Sequence, residues 1–261
     1  MKETAILAAR EAGKLMLDWR NSLPPGAAAM DYKSAKDVVT VVDRQAEDLI
    51  ISHIRAKFPE HAILGEEGGL LKGSAASPYT WVIDPLDGTA NYAADLATSC
   101  VSIGLLEGNS SILGVVYNPF RDELFVGLKG GGAFLNDKPI RVSQQAQLEK
   151  ALMGFDLGYN EEKAVQQLRE AAFWRPRVRT MRILGSAVLA LCYVACGRFD
   201  FFYHGALFPW DLAAAAVIME EAGVTASTYL GEPLDIYQPS VVAGNPELHR
   251  LFFKVREQFA G

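Results

Sequence analysis

The acidic residues carry the most chemical information in this chain. Asp84 and Asp87 stand in Trp81-Val82-Ile83-Asp84-Pro85-Leu86-Asp87-Gly88-Thr89, where a β-rich run breaks into a turn. Pro85 fixes its own φ and removes a donor. The turn then aims both carboxylates to one side, with the Leu86 carbonyl beside them. Three hard oxygens in one turn suit a hard divalent cation such as Mg2+, which takes oxygens at about 2.0–2.1 Å and keeps some waters. If Thr89 opens a helix, the Gly88 and Thr89 N–H groups face the same space and favour a phosphate oxygen. The same residues also fit a plain strand-end turn in which Asp87 only caps that helix. Glu66 and Glu67, in Gly65-Glu66-Glu67-Gly68, and Asp211, after Trp210, complete the acidic set.

The charge balance bears on the partner. Lys and Arg number 25 against 31 Asp and Glu, a net charge of −6. A broad nucleic-acid surface needs clustered positive charge, so none is expected. An acidic protein that handles an anionic substrate needs cations from elsewhere, and bound metals would supply them. The 3 cysteines, Cys100, Cys192 and Cys196, are too few and too odd for a disulfide framework. Cys192 and Cys196 sit one turn apart and read as buried thiols on an apolar helix. A zinc site would need more ligands than the single nearby His204. Lys2, Glu3, Arg10, Glu11 and Lys14 interrupt any apolar leader, and no apolar run reaches membrane-spanning length. The expected location is the cytoplasm, with no membrane partner.

The elements that must position these acids are legible from periodicity. Apolar residues at helical spacing predict a helix over Thr4 to Trp19, ended by Pro24 and Pro25. A second is expected from Asp43, as its cap, to Phe58, with Pro59 as the stop. Strands are expected at Tyr79–Ile83, Cys100–Leu106, Ser111–Tyr117 and Glu123–Leu128, with Gly108-Asn109 as a hairpin turn. Gly130-Gly131-Gly132 reads as a tight turn into an edge strand; without a following Gly-Lys-Ser/Thr it is no P-loop. Helix and strand then alternate: strand at Leu152–Phe155, helix at Glu161–Phe173, strand at Thr180–Arg182. A buried helix at Ser186–Cys196, a strand at Phe199–Tyr203 and a helix at Asp211–Ala222 follow. The last is so rich in Ala that another element must pack close to it. Two sub-domains are expected, α+β over residues 1–142 and α/β over 143–261. At 261 residues and 50% hydrophobic, the chain can bury a core without staples.

Gly65-Glu66-Glu67-Gly68, then Trp81-Val82-Ile83-Asp84-Pro85-Leu86-Asp87-Gly88-Thr89-Ala90-Asn91-Tyr92, then Trp210-Asp211-Leu212-Ala213-Ala214 with Glu221-Ala222-Gly223, closely resembles the inositol monophosphatase family, in the family's order and over nearly the whole chain. The resemblance implies a layered α-β-α-β-α sandwich, as in inositol monophosphatase and fructose-1,6-bisphosphatase. It also implies a Mg2+-dependent, commonly lithium-sensitive phosphatase, acting as a homodimer with two or three ions that Mn2+ can replace. Carried over by motif, Glu66, Asp84 and the Leu86 carbonyl would hold a first cation, and Asp84, Asp87 and Asp211 a second. Glu66 and Thr89 would orient and activate the attacking water, and Asp43 would support the Thr89 hydroxyl. The Gly88 and Thr89 amides would hold the phosphate. Lys33 and Asp37 fall where family members place residues near a weaker third metal.

On the leaving-group side, the family's pattern puts Gly185, Ser186 and Ala187 against the substrate. Ser186 equally fits ordinary helix capping. Arg182 would reach a second anionic group, or stand as a solvated surface arginine. Animal members carry a glutamate seven residues before the Trp-Asp aspartate, to bind inositol hydroxyls; this chain has His204 there. A histidine can hydrogen-bond a hydroxyl, or attract a second phosphate when protonated. The expected activity is hydrolysis of inositol monophosphate and other small phosphorylated metabolites. The alternatives are fructose 1,6-bisphosphate, the 2′-phosphate of NADP, or adenosine 3′,5′-bisphosphate. A non-catalytic regulatory role is the contrasting class.

Overall fold

The computed structural model describes residues 1–22, 30–32 and 38–259, with backbone only for 30–32 and 38–40. Lys33 and Asp37 lie outside the described residues. Helix α1 (Lys2–Ser22) buries Ala5, Ala8, Ala9, Ala12 and Met16, the stripe that 3.6-residue periodicity produces. Strands β1 (Met30–Tyr32) and β2 (Val38–Thr40) form a small antiparallel pair. Helix α2 (Val41–Lys57) follows. It begins before Asp43, so Asp43 is not its cap; it lies in the first turn, 1% exposed.

An eight-stranded sheet comes next: β3 (Ala62–Gly65), β4 (Gly69–Leu71), β5 (Tyr79–Asp87), β6 (Cys100–Glu107), β7 (Ser110–Asn118), β8 (Glu123–Leu128), β9 (Gly132–Leu135) and β10 (Lys138–Pro139). Its order is β10-β9-β8-β7-β6-β5-β3-β4. The short α3 (Thr89–Ala93) leaves the end of β5. A five-stranded sheet follows, of β11 (Leu152–Phe155), β12 (Thr180–Arg182), β13 (Phe201–His204), β14 (Thr225–Ser227) and β15 (Val241–Gly244), in the order β12-β11-β13-β15-β14. Interspersed are α4 (Glu161–Trp174), α5 (Ala187–Ala195), α6 (Pro209–Glu221) and α7 (Pro246–Arg256).

Strand alternation builds the layers. On β5, Trp81 and Ile83 face α1 and α2, while Val82 faces α5 and α6. On β13, Phe202 joins that same middle layer, while Phe201 and Tyr203 pack outward on Trp174 of α4 and Phe252 of α7. The result is a five-layer α-β-α-β-α sandwich. The chain passes from one sheet to the other between Pro139 and Leu152, yet α6, which comes later, lies against the first sheet. Among the described residues no helix is long and apolar enough to cross a membrane. All three cysteines are free, Cys100 and Cys192 buried and Cys196 half-buried.

The seat of α6 is a row of glycines. Gly104, Gly114 and Gly127 stand opposite one another on β6, β7 and β8. A Cβ on Gly104 would lie 2.7 Å from that of Ala213, and one on Gly127 would lie 2.7 Å from the Ile218 Cα. One on Gly114 would strike the Ala214 carbonyl oxygen. Helix backbone thus rests on strand backbone, which explains the run of alanines in α6.

The elements expected from the sequence do not include β3, β14, β15 or α7. The three strands are three or four residues long, too short for alternation to declare itself. Helix α7 did carry a signal: Asn245 caps it by accepting the Leu248 N–H at 2.9 Å, and Pro246 follows.

Gly114→Ala forces α6 off its seat. Denaturant unfolding is expected to show a loss of about 3 kcal/mol, the upper part of the usual cost of overpacking. A loss under about 0.5 kcal/mol would mean that the contact is not tight.

Candidate active site

The middle layer opens at one end into a cleft of about 250 Å3. Glu66, Asp84, Leu86, Asp87, Gly88, Thr89, Asp156, Gly185, Ala187, His204 and Asp211 all line it. Residues three apart on a regular strand point to opposite faces. Here β5 carries an irregularity: Asp84 pairs with Ser102, and Asp87 with Cys100. The three-residue step faces a two-residue step, and the extra residue turns both carboxylates to the same side.

Asp211 arrives from α6. Oxygens of Asp84, Asp87 and Asp211 all lie within 4.8 Å of one another. Each carboxylate is anchored by a backbone amide. Asp84 Oδ1 accepts the Leu86 N–H at 2.9 Å, and Asp211 Oδ2 accepts the Phe208 N–H at 2.7 Å. Asp87 Oδ2 accepts the Val188 N–H at 3.0 Å, in the first turn of α5, and also the Ser186 hydroxyl.

Burial and crowding decide the electrostatics. Burial pushes the Asp84 carboxyl well above its usual range, and the charges of Glu66, Asp87 and Asp211 push it further. Asp211 is raised in the same way, by burial and then by Asp87. Burial lifts Asp87 to about 6, against the pull of the Ser186 and Val188 donors. Like charges held this close favour either protons or cations. All the donors are hard oxygens, the set that a divalent cation of the Mg2+ class prefers, so the residues fit that group.

The remaining candidates fall around this core. Glu66 sits between β3 and β4, its N–H donating to the Ile83 carbonyl at 3.2 Å. Thr89 opens α3, and its hydroxyl lies 3.0 Å from both Asp43 Oδ1 and the Leu86 carbonyl oxygen. Gly88 holds a left-handed φ of 85°, where a Cβ would stand 2.9 Å from the Thr98 carbonyl. Gly185 and Ala187 reach the cleft wall.

Ser186 and Arg182 do not line the cleft. Ser186 is 1% exposed; it caps α5 and binds Asp87, so its hydroxyl is engaged behind the carboxylates. The Arg182 guanidinium turns back onto the Thr180 hydroxyl at 2.8 Å and the Met181 carbonyl at 2.7 Å.

His204 lines the cleft but is not a cation. Its Nδ1 accepts the Ala206 N–H at 2.9 Å, so in the neutral ring Nε2 carries the proton. Burial, with Lys163 adding to it, lowers its pKa to about 3. It can bond a hydroxyl, but it does not attract a second phosphate by charge.

Sequence reasoning missed Asp156. It follows β11, and its oxygens accept the Leu157 N–H at 3.1 Å and the Gly185 N–H at 2.7 Å. The signal was the one that marks Asp84, an acid at the end of an apolar strand. Asn91 was also missed. Its amide spans the Thr98 and Leu184 carbonyls, at 2.9 Å each, and ties α3 to the loop before α5.

Comparison with known proteins agrees with this arrangement. The family model described as "Inositol monophosphatase family" matches residues 1–259. The chain is 42% identical to inositol monophosphatase 1 of Solanum lycopersicum over 229 residues, 85% of this chain and 83% of that one. It is 38% identical to the Nus factor SuhB of Pseudomonas aeruginosa over 249 residues, 94% and 91% of the two chains. The crystal structure of extragenic suppressor protein suhB from Bartonella henselae superposes with a TM-score of 0.92, at 30% identity, covering 98% of each chain.

The raised carboxyl groups set a sign for pH. A carboxyl whose folded pKa exceeds its unfolded value holds more protons when folded, so stability falls as pH rises through that window. For Asp87 the window runs from about 4, the usual value, to about 6. The metal-free protein is expected to lose stability across it. Mg2+ or Mn2+ at about a hundred times its Kd should then raise Tm by about 5–10 °C at pH 8, and by much less at pH 5. A Tm indifferent to the cation at both pH values would remove the metal reading.

Proposed function

The chain belongs to the inositol monophosphatase family, and on that footing we propose that it is a Mg2+-dependent phosphomonoesterase that hydrolyses inositol monophosphate and related small phosphorylated metabolites by direct attack of water. The observation that carries the reading is the convergence of Asp84, Asp87 and Asp211 beside the Thr89–Asp43 pair. Glu66, Asp84, Asp87, Asp211 and the Leu86 carbonyl would hold the divalent cations, with Mn2+ able to replace Mg2+. Bound there, the cations supply Lewis-acid stabilisation of charge on the attacking and leaving oxygens.

The chain's own groups do the rest. The Gly88 and Thr89 amides at the start of α3 bind phosphate oxygens. The Thr89 hydroxyl donates to Asp43, which leaves its oxygen free to accept a hydrogen from the attacking water. Glu66 takes the proton as the water oxygen bonds to phosphorus. The ester P–O bond breaks in line, and the departing alkoxide is protonated from solvent to give the alcohol and inorganic phosphate. No phosphorylated side chain is formed.

The leaving-group side supports an uncharged polyol. Among the described residues lining the cleft there is no lysine or arginine, and His204 is neutral. A second phosphate would meet Asp156 without a cation to receive it. Fructose 1,6-bisphosphate, NADP and adenosine 3′,5′-bisphosphate are therefore the weaker alternatives. The reading includes a homodimer acting in the cytoplasm. One relative bears the name of a Nus factor, so a regulatory role without turnover is the contrasting reading.

Asp84→Asn is expected to lower kcat by about a thousandfold or more while leaving the metal-free Tm unchanged or higher, since a buried like charge is removed. Phosphate release with Mg2+ is expected from inositol 1-phosphate, with kcat/KM at least about tenfold above the three bisphosphate-type substrates, and Li+ should inhibit it. Wild-type rates in Asp84→Asn would refute the assignment. No turnover on any phosphomonoester would favour the regulatory role.

A further inference from the structure

A buried glutamate stands behind the cleft, and the reaction above makes no use of it. Glu47 lies on α2, one turn beyond Asp43 and 3% exposed. Its two oxygens accept the N–H groups of consecutive residues, Oε2 from Glu67 at 3.0 Å and Oε1 from Gly68 at 2.6 Å. These are the residues directly after Glu66. A buried carboxylate is costly unless several donors meet it. An apolar side chain would fill the same space at less cost, so the charge answers to the loop.

The glycines around Glu66 fit the same explanation. A Cβ on Gly65 would strike the Glu47 carboxylate, and one on Gly68 would stand 2.8 Å from Oε1. Neither glycine has a positive φ. Their missing side chains make room for Glu47 and are not needed for a backbone twist. From the other side, the Glu66 N–H donates to Ile83 of β5 at 3.2 Å. The loop is therefore clamped between β5 and α2.

We propose that Glu47 is a positioning residue: by binding the Glu67 and Gly68 amides it fixes the backbone that aims Glu66 into the cleft, and so sets the cleft's affinity for its cation. This rests on the reading of Glu66 as a cation ligand. Residues four apart share a helix face, so one face of α2 steadies both halves of the water-activating pair: Asp43 holds Thr89, and Glu47 holds the Glu66 loop.

Glu47→Gln keeps the size but turns an NH2 group toward one of the two amides. Mn2+ is titrated into metal-free protein and followed by thermal shift, with kcat and KM measured separately at saturating Mn2+. The apparent Mn2+ Kd is expected to rise about tenfold, while KM for the phosphomonoester stays unchanged and the metal-free Tm moves by no more than a few degrees. A purely structural role would lower Tm and leave the Mn2+ Kd alone. Gly68→Ala, on an exposed loop position, crowds Oε1 without touching Glu47 itself, and is expected to raise the Kd in the same direction. In the double variant the effects should not add, since both break one contact. A wild-type Mn2+ Kd in Glu47→Gln overturns the proposal; if that variant fails to fold, a wild-type Kd in Gly68→Ala overturns it. A wild-type protein that shows neither a Mn2+-linked shift nor turnover overturns the function reading instead.

Discussion

Carboxylates of like charge share one end of the middle layer, and the constraint on the structure is to hold them there. Asp84, Asp87 and Asp211 are pushed toward their neutral forms by burial above all, Asp84 and Asp211 also by the acids around them and Asp87 by Asp156. Left to relax, such groups would spread apart or take up protons. They stay because each has an amide donor, because two separate elements carry them, the irregular end of β5 and the start of α6, and because α5 holds Asp87 through Val188 and Ser186. A crowded set of hard oxygens of this kind suits a divalent cation.

Rigidity comes from close backbone contact. Helix α6 is laid on the glycine row of β6, β7 and β8, and its alanines keep it there. Its first turn is thereby fixed relative to the end of β5, the strand next to the row. On the far side of the sheet, α2 reaches past β5 to Thr89 with Asp43 and to the Glu66 loop with Glu47. Helices on both faces of one sheet thus converge on the same edge of it, and the cleft forms where the sheet's own hydrogen bonding becomes irregular.

The opposite wall of the cleft is built from the second sheet and its connections, with different chemistry. Asp156 spends its oxygens on the Leu157 and Gly185 amides, and His204 spends Nδ1 on Ala206. What remains for a ligand is a neutral ring N–H, backbone groups and uncharged side chains, Tyr159, Phe208 and Trp210 among them. On the proposed reading, that wall would discriminate by hydrogen bonding and by shape.

How much of this was readable from the chain depends on whether the signal was local. The hexapeptide from Asp84 to Thr89 announced itself, because a proline turn, two acids and a helix start lie within one stretch. Most long helices and strands were legible for the same reason, their periodicity being contained in their own residues. Residue types and order also carried the family, and with it the layered fold. Sequence did not show that Ser186 faces Asp87 and not the cleft, that His204 is held neutral, or that Glu47 and Asp156 belong to the site. Those properties depend on burial and on partners tens of residues away, and burial is defined only once the layers close. A side chain's type is written in the sequence, but its protonation and direction are set by what the folded chain packs around it.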